Sequence, residues 1–503
     1  MPYELTAEQL AIRDERRRKK VVAPASTPPA HLDVGWLADE SRGKILKRDC
    51  VQLRPARSPT SSVKIMSWNM LAQILVRREL FPYSDCLRGS AREWMLLREI
   101  LTYSADIVCL QEVDRLEKLI PPLKNAGYST TYAAGRGKRH GCMILHREPK
   151  LRKVNERVVH LDEQYIREGN GTDSQEDIRR RRGSTRQTKN IALLVALANT
   201  IEQGTVSSSA VEGYIVATCH LFWHPRHVYE RARQGAIILR EISRFQSENG
   251  YSHWPVLFAG DFNSQPTEAL YSLLVGDPLT PVQILELELS RVIHSSIDPS
   301  VKASMGVSNS TDGYDENEED YNEEGAAQDA SPTTPTRSEG QQAQTGHKGQ
   351  SETTKDPDRV LTNHRPAVPS DGLLSTPELV KLFRNYKLRS AYGDSYAKIF
   401  VPSEGGENTF GSREASEAVQ VVRKGRDEPK WTCFTEYWKL TLDYIFICDP
   451  PPQTELDFIP PKSPRGEIIG LLKTHRAEDL EPGLPKLGVC ASDHIALCAE
   501  IDY

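Results

Sequence analysis

PVLFAGDFNSQP, residues 255–266, is the stretch that decides how the rest of the chain is read. Val256, Leu257, Phe258 and Ala259 form a short apolar run of the kind that makes a fully buried strand. Gly260 ends it, and Asp261 and Asn263 follow with Phe262 between them. In an extended chain, residues two apart point to the same side. Asp261 and Asn263 therefore face one space at a strand end, and Phe262 turns back into the core. Pro266 opens a helix-like segment over 267–274. A carboxylate and an amide at a buried strand's end suit chemistry that moves a proton and holds an anionic oxygen. By itself the stretch favours an Asp-x-Asn turn, and it becomes a site only with partners from the rest of the chain.

Other strands end the same way. Residues 63–69 alternate as a strand and end on Asn69. Residues 90–103 have helical spacing, with Trp94, Leu97, Ile100 and Leu101 on one face and Ser90 with Glu93 as a capping box. The buried run 106–110 ends on Gln111-Glu112, and residues 127–146 read as two strands around a basic turn at 135–141. Strands at 190–197 and 214–218 follow, the second ending on Cys219-His220, and 228–245 is an amphipathic helix. Ser375 starts another helix with Leu379, Leu382, Phe383 and Tyr386 as its apolar face. Asp443 heads a strand at 441–447, and Asp493-His494 leads into a closing strand.

Composition bounds the rest. The 503 residues are 38% hydrophobic and 26% charged with net charge −5, which does not suggest a chain coated in positive charge for wrapping DNA and leaves room for a local basic groove. The nine cysteines form no CxxC pair, so a zinc site on Cys pairs is not expected and a reducing compartment fits. No apolar run is long enough to span a bilayer. Residues 1–60 read as a polar, basic, partly disordered extension that includes Arg16 to Lys20, and 61–503 as one catalytic domain. Two stretches interrupt it: a polar excursion at about 164–189 and an acidic, Ser/Thr/Gly-rich insertion at about 300–370 that is expected to be disordered.

Asn69, Glu112, His220, Asp261, Asn263, Asp443, Asp493 and His494 all sit at a strand end or start, where strands of one core converge. Together they suit metal-assisted phosphodiester hydrolysis. Oxygen donors without cysteine fit Mg²⁺ or Mn²⁺. An aspartate can take a proton from water, and histidines can donate to developing charge.

SWNMLAQ (67–73), LQEVD (110–114), HLFWHP (220–225), GDFNSQP (260–266), LDYIF (442–446) and SDHIAL (492–497) resemble the endonuclease/exonuclease/phosphatase superfamily. Within it they resemble the deadenylase branch, with the carbon-catabolite-repressor deadenylases, nocturnin and angel proteins, and most of all the fungal Ngl-type RNA exonucleases. The resemblance implies an α/β fold, a four-layer sandwich of two mixed β-sheets flanked by helices. It implies Glu112 as principal Mg²⁺ ligand (Mn²⁺ as alternative) with Asn69 beside it. It further implies His220 as phosphate contact, Asp261 as the residue that orients or deprotonates water, Asn263 as its phosphate-binding neighbour, and Asp443 as partner of His494. Asp493 is implied as a metal contact through water. Two positions depart from the family pattern: His140 in KRHGC where an acid is usual, and Glu436 in FTEYW where asparagine is common. The implied function is a 3′-5′ exoribonuclease acting on poly(A) or ribosomal RNA precursor 3′ ends and releasing nucleoside 5′-monophosphates. Its partner is RNA and not a membrane, and its location intracellular, cytoplasmic or nuclear. The alternatives are a phosphatase on a small nucleotide or phosphoinositide and a non-catalytic RNA-binding scaffold.

Overall fold

The computed structural model describes residues 34–39, 41–58, 61–148, 150–168, 174–200, 211–301, 361, 363–399, 409–413, 423–449 and 465–503. Two large mixed sheets face each other. The seven-stranded sheet runs Cys50–Gln52, Glu467–Leu472, Leu497–Asp502, Ser62–Asn69, Ile107–Val113, Gly141–Arg147, Tyr128–Ala134 from edge to edge. The six-stranded sheet runs Arg389–Ser390, Asp443–Cys448, Val256–Asp261, Gly213–His220, Ile191–Asn199, Leu151–His160. The strand alternation of side chains builds the layers. Ile65, Leu257 and Ala259 meet between the sheets, while their neighbours Met66, Trp68, Val256 and Phe258 face outward onto helices. Helix Gly89–Thr102 packs on the outer face of the first sheet, and helix Val228–Glu248 on that of the second. The result is the expected four-layer α/β sandwich, with apolar clusters at all three layer boundaries.

Several expectations need correction. The packed domain begins well before residue 61. Cys50–Gln52 pairs with Glu467–Leu472 as an edge strand. Trp36 lies edge-on to Trp94 at 5.0 Å between ring centres, because aromatic surface in this segment finds a partner on the helix. The basic run Arg16 to Lys20 lies outside the described residues. Helix Gly89–Thr102 starts at Arg88 with no side-chain cap, so the Ser90–Glu93 capping box does not form there. The 164–189 segment is no excursion in its described part. It carries helix Gln175–Arg182 and packs back because polar groups of helix Val228–Glu248 are buried and need partners. Glu230 accepts from the Thr185 N–H and hydroxyl, both at 2.8 Å, and Arg233 donates to the Arg182 carbonyl at 2.7 Å.

The expectation of disorder at 300–370 falls mostly on 302–360, outside the described residues. Its far end does belong to the domain. His364–Pro366 pairs with Val292–His294, and Arg365 grips Asp371 through two bonds of 2.7 and 2.8 Å while also bonding Asp298 at 2.9 Å.

Replacing residues 302–360 with a short glycine-serine linker should therefore not lower stability and should raise it by at most about 2 kcal/mol, since loop length enters only logarithmically. Arg365→Ala strands a buried carboxylate and should cost about 2 kcal/mol or more in urea unfolding. Equal losses in the two variants would contradict this division of the insertion.

Candidate active site

Register places the polar strand ends at one level. In the second sheet, His220 lies opposite Asp261 across a parallel pair, and Asp443 opposite Asp261 across an antiparallel one. In the first sheet Asn69 lies opposite Gln111 in a parallel pair. Gln111 reaches across to the second sheet, donating to the Thr218 hydroxyl at 2.9 Å. By strand alternation Glu112 should then point the other way. It does not, because its backbone turns left-handed (φ +54°) and the pairing register breaks between Leu110 and Val113. That local break brings the Glu112 carboxylate to the site.

Three acids, Glu112, Asp261 and Asp443, thus meet at one end of the sandwich. Asn69 bridges two of them: its amide nitrogen donates to Glu112 Oε1 at 2.9 Å and to Asp261 Oδ2 at 3.0 Å. Its own oxygen accepts the Leu71 N–H at 3.0 Å. Glu112 Oε2 accepts the Ala72 N–H at 2.9 Å. His220 lies between them, with Nε2 3.7 Å from Asp261 and Nδ1 3.9 Å from Glu112. His494 Nδ1 bonds Asp443 Oδ2 at 2.8 Å, and its Nε2 stands 3.7 Å from Asp261 Oδ2. Asp261 Oδ2 is therefore the point on which Asn69, His220 and His494 converge.

The turn reading of residues 261–263 holds as well. Asp261 Oδ1 accepts the Asn263 N–H at 2.9 Å, with Asn263 left-handed at φ +47°. The Asn263 amide nitrogen donates to the Leu221 carbonyl at 3.0 Å, so this side chain fastens the His220 strand end to the turn. Phe262 is buried against Phe258, Tyr444 and Phe446, as expected.

Burial pushes the Asp443 carboxyl up, against the pull of His494 and with Asp261 adding to the rise. Burial alone would lower His494, but the Asp443 carboxylate, helped by Cys433 and Asp261, lifts it well above its ordinary value. The pair is thus an imidazolium held on a carboxylate at neutral pH. Among the described residues two groupings have the spacing to hold a metal ion: Asp261 with Asp443 and His494, and Cys433 with Asp493 and His494. Asp443 Oδ1 is buried without a hydrogen bond of good geometry, and the Thr432 side chain is the neighbour that acts on this carboxyl besides His494 and Asp261. The donor set around Glu112, Asp261 and Asp443 is oxygen-rich and acidic, which fits a hard divalent cation.

Two residues given no role in the sequence reading, Ser492 within SDHIAL and Thr432 outside every motif, hold this arrangement. Ser492 donates to the Asn69 carbonyl at 2.7 Å and accepts the His494 N–H at 3.1 Å. The Thr432 hydroxyl accepts the N–H groups of Leu442 and Asp443 at 2.8 and 3.0 Å. The two departing positions differ in setting: His140 is buried, whereas Glu436 is exposed.

A model described as the endonuclease/exonuclease/phosphatase family matches residues 66–379. A Schizosaccharomyces pombe protein named "Probable RNA exonuclease" is 27% identical, over 96% of this chain and 84% of its own. "Probable RNA exonuclease NGL3" of Saccharomyces cerevisiae is 28% identical, over 87% of this chain and 76% of its own. Among solved structures, the human Nocturnin catalytic domain aligns over 90% of this chain and 97% of its own, at 17% identity and TM-score 0.45.

Asp261→Asn and His494→Ala should each lower single-turnover hydrolysis by about a hundredfold or more, the scale for losing a general base or a donor to developing charge. Equilibrium substrate binding should move far less. Because Asp443 acts through His494, the Asp443→Asn/His494→Ala double variant should lose much less than the product of the single losses. Multiplicative losses, or a collapse of binding with the chemical rate intact, would sink these roles.

Proposed function

Because the chain belongs to the endonuclease/exonuclease/phosphatase family of enzymes, we propose that it is a magnesium-dependent exoribonuclease that removes nucleoside 5′-monophosphates from RNA 3′ ends. The observation that carries the reading is the convergence of Asn69, His220 and His494 on the Asp261 carboxylate, with Glu112 and Asp443 on either side. The names of the fungal relatives support RNA as the substrate class.

Each residue has a distinct part in the reaction. Asp261 Oδ2, the convergence point, takes the proton from the attacking water. The water oxygen bonds to phosphorus, and the 3′-oxygen of the preceding nucleotide leaves with the shortened RNA. His220 and the His494 imidazolium donate hydrogen bonds to the charge that grows on the phosphoryl oxygens. Asp443 fixes the ring of His494 and favours its charged form. Glu112, with Asn69 beside it, would hold a Mg²⁺ ion (Mn²⁺ as alternative), which supplies polarisation of the phosphoryl group and stabilisation of the leaving oxygen. Asn263 keeps the His220 strand end at its distance from Asp261. Among the described residues no helix is long and apolar enough to cross a membrane. The substrate reading puts the protein inside the cell, in cytoplasm or nucleus, acting on poly(A) tails or ribosomal RNA precursor 3′ ends.

The deciding assay incubates the protein with oligo(A) and with a ribosomal RNA 3′ fragment, each labelled at the 5′ end, in Mg²⁺ and in EDTA. Stepwise shortening with release of 5′-monophosphates, lost in EDTA, is expected. Release of inorganic phosphate from a small nucleotide or phosphoinositide without RNA shortening would favour a phosphatase, and RNA binding without turnover a scaffold. Glu112→Ala should abolish hydrolysis at saturating Mg²⁺ while costing only about 1–3 kcal/mol of stability, from the two N–H groups it leaves unpaired. A near-normal rate in that variant removes Glu112 from the metal site.

A further inference from the structure

Arg92, in the first turn of helix Gly89–Thr102, is fully buried. Burying a guanidinium is costly unless its donors are met. Its acceptors are three backbone carbonyls and one amide oxygen, all neutral. Nε donates to the Ala491 carbonyl at 2.7 Å, Nη1 to Gln73 Oε1 at 2.9 Å, and Nη2 to the Met70 and Leu71 carbonyls at 2.7 and 2.5 Å. Burial pushes its pKa down to about 10, and it remains a cation at neutral pH.

What these acceptors have in common is their position in the chain. Met70 and Leu71 directly follow Asn69. Leu71 is held left-handed (φ +55°) with its N–H on Asn69 Oδ1, and the next N–H, that of Ala72, binds Glu112. Ala491 directly precedes Ser492, which bonds both the Asn69 carbonyl and the His494 N–H. One planar fork thus fastens the segment that presents Asn69 and Glu112 to the segment that presents His494. Asp493 and Asp114 are the acids that raise the pKa of this cation, and Arg115 opposes them. A guanidinium is suited to such bridging, since it can bond several acceptors in one plane, whereas a lysine ammonium is a point charge.

We propose that Arg92 is a positioning residue that sets the spacing between the Asn69–Glu112 pair and the His494–Asp443 pair. The proposal rests on the reading of those pairs as metal-holding and charge-stabilising groups. Arg92 touches neither substrate nor metal in this scheme; it acts through the two backbone segments it joins.

The same helix supplies a control. Arg98, six residues on, is also buried and makes four bonds to backbone carbonyls. They go to Leu37, Asp39 and Arg42, on the N-terminal segment away from the site. Arg92→Lys and Arg98→Lys each keep the charge and lose the fork, so both should lower the melting temperature. Only Arg92→Lys should also lower kcat and Mn²⁺ affinity, each by about tenfold or more with KM for RNA little changed, the scale for a displaced catalytic group or a lost support of a metal ligand. Arg98→Lys should hold both within about twofold. Mn²⁺ affinity is read by calorimetry on the full chain without substrate. The proposal is overturned if Arg92→Lys keeps both quantities within twofold, or if Arg98→Lys falls alongside it. Should the parent protein fail to cut RNA at all, the exoribonuclease reading fails separately, and Mn²⁺ affinity alone then decides the role of Arg92.

Discussion

Three buried carboxylates within reach of one another are the constraint on which this structure depends. Asp261 and Asp443 are in register on adjacent strands, and Glu112 is joined to Asp261 through the amide of Asn69. Charges of one sign in a poorly hydrated cleft repel strongly and lose their water. The surroundings meet that cost with oriented donors: the N–H groups of Ala72 and Asn263, the Asn69 amide and the His494 imidazolium. What they leave uncompensated is a local field that favours a cation. Stability and chemistry therefore pull on the same side chains.

Backbone strain gathers at the same place. Leu71, Glu112 and Asn263 all have positive φ, each beside or within the acidic cleft. Non-glycine residues hold that conformation only where neighbours over-determine it. Here each is fixed by a bond to the site itself: the Leu71 N–H on Asn69, the Glu112 carboxylate on Ala72 and Asn69, the Asn263 N–H on Asp261. The strained backbone and the polar network support each other, so loosening one loosens both.

Site residues are spread from Asn69 to His494, with long stretches of chain between them. The parallel and antiparallel registers of the two sheets absorb that separation, because a strand's level is set by its pairing and not by the chain that leads to it. The insertion enters between Val292–His294 and His364–Pro366, two short strands that pair with each other. Its flanks are thereby joined by a strand pair of their own, separate from the two large sheets.

Much of this was legible in the residues alone. Apolar alternation and short apolar runs marked most strands of both sheets, though not Cys50–Gln52, Leu151–His160, Arg389–Ser390 or Glu467–Leu472, because that signal lies within a few neighbouring residues. The polar residue at each strand end, Asp261 above all, was visible for the same reason, and Phe262 took its expected place in the core. The tertiary structure decided what no local pattern carries. It alone separated Gln111, which ties the two sheets, from Glu112, which a left-handed backbone turns into the cleft. It made Asn69 a bridge between two acids and gave the Asn263 amide to a backbone carbonyl. It recruited Arg92 and Thr432, whose neighbours in sequence give no hint of their part, and gave Ser492, inside a motif, a bridging role. A hydrogen-bond partner is chosen by distance and direction in space, and residues such as Arg92 and Ala491 acquire those only when helix Gly89–Thr102 has docked on the outer face of the first sheet.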